Sequence, residues 1–220
     1  FFIEIANFYP YIASITRRVY LKIMTIQINY KNNGFKNLST NLILFSDEKL
    51  NIIHLEKYIS KLEFSYITDL LKTSDSKKNL FVFEVSSKKK IILVSVKNNL
   101  ETSDIENLGA ELYGYINHEK KSDHFVNLDS IKNKYENFIG YFLHGLKLKS
   151  YEFNLYKSKK EQKIISINVI GNKNKNTIQN ELRFKAIEKG TFFARQNEGL
   201  YHHCGVQNII SLQFVYLQTP

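Results

Sequence analysis

Leu80-Phe-Val-Phe-Glu-Val85, Ser86-Ser-Lys-Lys-Lys90 and Ile91-Ile-Leu-Val-Ser-Val96 follow one another directly in the middle of the chain. Both flanking runs are rich in Phe, Val and Ile, side chains that suit a pleated, half-buried surface. The polar link between them is too short to hold a helix. A parallel return needs a crossover of roughly a dozen residues or more, so the two strands must be antiparallel neighbours. The spacing predicts a hairpin.

Outward from that hairpin, strand and helix patterns alternate. On its N-terminal side Thr25–Tyr30 places Ile26, Ile28 and Tyr30 at every second position, the period of a half-buried strand. Asn32-Asn33-Gly34 reads as a turn. Leu42-Ile-Leu-Phe45 is a continuous apolar run, consistent with a strand covered on both faces. Leu55, Ile59 and Leu62, then Ile67, Leu70 and Leu71, recur at helical spacing and predict one kinked helix or two short ones. On the C-terminal side Ser103-x-x-Glu106 has the form of a capping box. Ile105, Leu108, Leu112 and Ile116 follow it on one helical face.

A short strand is expected near Phe125–Leu128. Asp129 or Ser130 would cap a longer helix carrying Ile131, Tyr135, Phe138, Phe142 and Leu146. Lys163–Ile170 reads as the last strand, ended by Gly171, and Ile178, Leu182, Ala186 and Phe193 mark a final amphipathic helix. The order is β-β-α-β-β-α-β-α-β-α. Helices separate most strands and one hairpin breaks the alternation, so the expected class is α/β with a mixed β-sheet flanked by helices on both faces.

Composition narrows the classes further. A chain of 220 residues, 43% hydrophobic and 14% aromatic, can bury a full core as one domain. One cysteine, Cys204, excludes an intramolecular disulfide framework and fits a reducing compartment. The formal charge of +10 suggests nucleic acid, but only four of the 31 basic residues are arginine: Arg17, Arg18, Arg183 and Arg195. Arginine makes the bidentate phosphate and guanine contacts, and dispersed lysine is the ordinary solvated surface. The charge therefore argues against nucleic acid, and a stand-alone basic α/β module for nucleic acid is kept as the alternative reading. The run from Phe1 to Ile23 is broken by Glu4, Pro10, Arg17 and Arg18 and is not a membrane span. Its arginines follow the apolar residues, the reverse of a signal peptide.

Two segments resemble a known family. Gly145-Leu-Lys-Leu-Lys-Ser-Tyr-Glu-Phe-Asn-Leu-Tyr-Lys157 is similar to a "G-x-x-L-x-S-Y-x-F-x-x-Y-K" stretch of the leucyl (cytosol) aminopeptidases. Leu182-Arg-Phe-Lys-Ala-Ile-Glu-Lys-Gly-Thr-Phe-Phe-Ala-Arg195 is similar to the "A-x-x-x-G-x-x-x-A-R" helix that precedes their catalytic domain. After Arg195 the family pattern would continue with an aspartate and a segment close to "L-V-N-x-P-x-N". Gln196-Asn-Glu-Gly-Leu-Tyr-His-His-Cys204 stands there instead.

The resemblance implies a macro-domain-like N-terminal domain over residues 24–195. Residues 1–23 are expected to be an upstream extension before Met24, and residues 196–220 a non-family tail from a frameshift or truncation. It further implies a parent metalloaminopeptidase that releases N-terminal residues from peptides. Two divalent ions, zinc or manganese, would act in a C-terminal catalytic domain missing from this chain. The parent assembly would be a cytoplasmic homo-hexamer, with no membrane partner. The family's catalytic and metal-binding motifs match no position here, so the expected catalytic, cofactor-binding and metal residues of this chain are none. The chain is expected to be inactive alone.

The remaining candidates have bland readings. His202-His203-Cys204 carries metal-ligand chemistry, but adjacent residues in extended chain diverge and a zinc site needs further ligands. His54, His118, His124 and His144 are isolated in sequence and read as surface or helix-face residues. Gly109 and Gly114 lack the strand-loop-helix setting of a dinucleotide fingerprint, which also counts against an ADP-ribose-binding macro-domain enzyme. Gly145 and Gly190 sit in helical patterns and read as close-packing positions. Tyr151, Phe153 and Tyr156 are expected to pack beneath the sheet rather than form a ligand platform.

Overall fold

A computed structural model describes side chains for residues 26–31, 41–75, 78–87, 89–118, 123–131, 137–151, 164–171 and 181–195, and additionally the backbone of 122, 175–180 and 196–204. The expected turn at Asn32–Gly34, the residues Tyr135, Phe153 and Tyr156, the extension 1–23 and the tail beyond Cys204 lie outside the described residues. So do the side chains of Ile178, His202, His203 and Cys204.

The predicted order is found. Strands β1 (Ile26–Lys31) and β2 (Asn41–Asp47) lead to helix α1 (Lys61–Lys72), and the hairpin β3 (Leu80–Ser86) and β4 (Lys89–Val96) follows. Helix α2 (Thr102–Ile116), β5 (Ser122–Asn127), α3 (Phe138–Lys149), β6 (Ile165–Ile170) and α4 (Lys175–Cys204) complete the described chain. The sheet order is β1-β6-β5-β2-β4-β3. Five strands run parallel, and β3 lies antiparallel at one edge, paired Leu80 to Val94 and Phe83 to Ile91. The hairpin is thus the sole antiparallel pair among the described strands.

Each face of the sheet carries its own core. Ile43, Phe45, Ile92, Val94, Val126, Ile165, Ile167 and Val169 meet α2 and α3. Phe45 packs edge-on against Phe138 and Phe142, with ring centroids 5.5 and 5.4 Å away. On the opposite face Leu42, Leu44, Ile91 and Leu93 meet Ile52, Leu55 and Ile67. The mixed α/β sheet with helices on both faces is therefore the architecture present.

Three local expectations need correction. The capping box of α2 is not Ser103–Glu106: the Glu101 N–H donates to the Asp104 carboxylate at 3.0 Å, two residues earlier. Glu106 instead turns toward α3. A capping box unread in the sequence starts α1, where Ser60 N–H donates to Glu63 Oε2 at 2.8 Å and Glu63 N–H to Ser60 Oγ at 3.3 Å.

The core face of α1 matches the expected one only in part, with Ile67 and Leu71 inward as read and Leu62 and Leu70 not. Phe64 points inward with them, while Leu62 is 84% exposed. Finally, α3 does not start at Asp129 or Ser130. Those residues form a 3-10 turn, Ile131 is extended, and α3 starts after Asn137, which is left-handed at φ 64°. Ser130 ties the turn to the sheet instead. Its Oγ donates to Asn127 O at 2.7 Å and accepts the Phe45 N–H at 3.1 Å.

No helix among the described residues is long and apolar enough to cross a membrane.

Candidate functional site

In open parallel sheets ligands bind outside the C-terminal ends of the strands, where the connections part to opposite sides. Here that point lies between β2 and β5. Among the described residues, hydrogen bonds tie its walls together. The Ser130 bond to Phe45 sits there, and His54 Nε2 lies 3.3 Å from Phe45 O and 3.1 Å from Ser130 O. Tyr58 OH donates to Asp129 O at 2.9 Å. Gly171, at φ 119°, passes so close to Leu128 and Asp129 that a Cβ would meet both at about 3.0 Å. His54 is thus a structural tie between β2 and the turn after β5.

A second place is open. A groove of about 400 Å³ runs along β1, bordered by α3 and α4. Every residue from Ile26 to Tyr30 lines it. Successive side chains of a strand point to opposite faces, so five consecutive lining residues mean that the strand's edge borders the groove. Among the described strands β1 is indeed terminal in the sheet.

Leu143 and Phe184 provide apolar wall, and Gly140 lets the Phe184 ring approach α3: a Cβ there would come within 2.6 Å of it. Phe184 meets Tyr141 edge-on at 5.0 Å and lies 4.9 Å from the His144 ring.

Charge enters the groove in two pairs. Lys147 Nζ donates to Glu188 Oε2 at 3.0 Å, with both side chains nearly buried. Lys185 meets Glu181 at 2.8 Å one helical turn away, nearer to solvent. Burial pushes the Glu188 carboxyl above its ordinary 4.5, against the pull of Lys147, His144 and Lys185. Burial, then the nearby Glu181 and Glu188, raises the Tyr30 hydroxyl to about 12. His144 is 4% exposed, and its Nδ1 lies 2.9 Å from Glu106 Oε1. A carboxylate only accepts, so Nδ1 carries a proton. The His144 Nε2 is buried and has no hydrogen-bond partner.

The structure thus revises the reading of the histidines. His118 is exposed, but His124 and His144 are buried and His54 is held inside the turn. It revises α4 as well. The inward face is Phe184, Glu188 and Phe192, whereas Leu182 is 70% exposed and Ala186 is outside. Periodicity of apolar residues could not find this face, because its centre is a glutamate.

The glycines divide. Gly109 and Gly145 are the close-packing positions of α2 and α3: a Cβ at Gly109 would overlap the Phe142 carbonyl, and one at Gly145 the Glu106 carbonyl. Gly190 meets nothing within 4 Å, so packing does not explain it. Tyr151 stacks on Phe192 at 5.2 Å, beneath Arg195, whose Nη1 donates to Leu148 O at 2.9 Å. Among the described residues no three His, Cys, Asp or Glu converge as metal ligands.

The described residues thus form a mixed-sheet α/β domain with a groove along β1. The chain belongs to the cytosol aminopeptidase family: the model of that family's N-terminal domain matches residues 46–160. Among solved structures, a mutant of tomato leucine aminopeptidase matches over 75% of this chain at 16% identity with a TM-score of 0.55, which shows the shared fold. The chain spans 36% of that enzyme's length. The macrodomain of Thermus aquaticus DarG matches over 67% of this chain and 99% of its own, at 7% identity and TM-score 0.44. The bottromycin maturation enzyme BotP, in complex with Mn, matches over 72% of this chain and 31% of its own, at 7% identity and TM-score 0.49. No curated protein sequence matches. These matches give the nucleic-acid reading no support.

Proposed function

We propose that this chain serves as the non-catalytic N-terminal domain of a leucyl aminopeptidase-type exopeptidase, which releases N-terminal residues from peptides in the cytoplasm. Hydrolysis belongs to a C-terminal catalytic domain, where two divalent ions, zinc or manganese, polarise the scissile carbonyl and activate a water. The parent assembly is a homo-hexamer, and α4 is the connector toward the catalytic domain. The observation that carries this reading is the family match over residues 46–160.

The purified chain, supplied with zinc or manganese, is expected to show no turnover of leucyl-p-nitroanilide, because a two-metal site needs several converging carboxylates. Turnover that persists through purification and disappears with a chelator would overturn the assignment of chemistry to another domain.

A further inference from the structure

The groove along β1 presents both signs of charge and no excess of either. Two ammonium groups, Lys147 and Lys185, and two carboxylates, Glu188 and Glu181, line it as pairs. An anionic ligand would face two carboxylates, and a cationic one two ammonium groups. A ligand carrying one charge of each sign can align head to tail with a pair and satisfy both.

The spacing restricts the ligand further. Lys147 and Glu188 are 3.0 Å apart, so the matching charges must also be adjacent, as an ammonium and a carboxylate are when they share one carbon. The Lys147–Glu188 bond uses one of three ammonium donors and one of about four carboxylate acceptor sites, so both groups retain capacity. The His144 ring borders the same wall. Ile28, Leu143 and Phe184 supply apolar surface for a side chain. A volume of about 400 Å³ lies within the usual range of small-molecule sites, about 300–1,000 Å³.

We infer that this groove is a binding site for a free zwitterionic α-amino acid with an aliphatic side chain. Its ammonium goes to Glu188, its carboxylate to Lys147 and the rim Lys185, and its side chain lies against Phe184 and Leu143. The site is independent of any catalytic domain, so the inference stands apart from the function proposed above.

Titration calorimetry on the full chain tests it. L-leucine is expected to bind saturably, with Kd of about 1 mM or tighter, the weak end of specific affinity. N-acetyl-L-leucine and L-leucinamide each lack one charge and should bind at least about tenfold more weakly, the loss that follows from leaving a buried charged partner unmatched. The double variant K147M/E188L, shown folded by circular dichroism, should abolish leucine binding. If that variant does not fold, the rim variant E181Q/K185Q decides, with a loss of about threefold or more expected from its solvent-screened charges.

Four outcomes overturn the inference: no saturable leucine binding; equal binding of all three compounds; unchanged binding by a folded K147M/E188L; or, where the rim variant decides, unchanged binding by E181Q/K185Q. Preferential binding of leucinamide or of N-acetyl-leucine would assign the groove to a peptide terminus instead and would also refute it.

Discussion

Replacing Gly109 or Gly145 by alanine tests the helix pair that covers one face of the sheet. In an open helix the change would add about 1 kcal/mol through propensity. At these two positions the new methyl group meets backbone of the facing helix, which cannot rotate away as a side chain end can: the Phe142 carbonyl opposite Gly109, the Glu106 carbonyl opposite Gly145. The helices must separate, and Leu108, Leu112, Phe142 and Leu146, all buried between them and the sheet, lose contact together.

Overpacking of this kind costs about 1–3 kcal/mol, and contact with backbone puts it at the upper end. Net of propensity, each variant should lose about 2 kcal/mol. For a domain of this size that is about 4–8 °C in Tm. Gly114 lies in the same helix with nothing within 4 Å, so Gly114→Ala should gain about 0.5–1 kcal/mol. The opposite signs make the test internal to one helix. The double variant G109A/G145A should cost less than twice the single loss, because one separation of the helices relieves both overlaps. Urea and thermal unfolding followed by circular dichroism would measure all four. If G109A and G145A are as stable as G114A, the close approach of α2 and α3 is wrong.

Lys147→Met should destabilise by about 3–5 kcal/mol because it leaves Glu188 buried without its cation, whereas K147M/E188L should recover most of that loss. Since burial holds the Glu188 carboxyl above its ordinary 4.5, the folded state keeps that proton to higher pH than the unfolded chain. Glu188 therefore lowers stability as pH rises through the window above 4.5, and K147M should push that window upward; a pH series of urea midpoints for both proteins would show it. Ser130→Ala removes the acceptor for the buried Phe45 N–H and should cost about 1–3 kcal/mol, measured by the same unfolding assay; a loss below about 0.5 kcal/mol would show that this bond is not needed.

The kind and order of the elements were legible from local patterns alone. Period-two runs, helical spacing and a five-residue polar link are local signals, and a strand or helix buries its face whichever partner it finds. Even so, the ends of elements escaped where a side chain had two possible uses. Ser130 could cap a helix or hold a strand, and only the nearness of Phe45 N–H decided for the strand. Ser103 could cap α2, yet the Asp104 carboxylate reached the Glu101 N–H first.

The tertiary structure alone decided everything that depends on a pair of distant residues. Leu182 was a sound choice for the inner face of α4 on hydropathy, but Lys147 lies opposite Glu188, and a charge can be buried where its counter-charge waits. Glu106 similarly sets the place of His144, a residue with no meaning in isolation. Gly145 was legible from its helical pattern as a close-packing position, but that its partner is the Glu106 carbonyl, and that Gly109 packs in the same way against the Phe142 carbonyl, only the structure shows. The groove itself has no sequence signature at all. It exists because β1 ends the described sheet beside α3 and α4, and strand order is set by packing between elements, which no local pattern encodes.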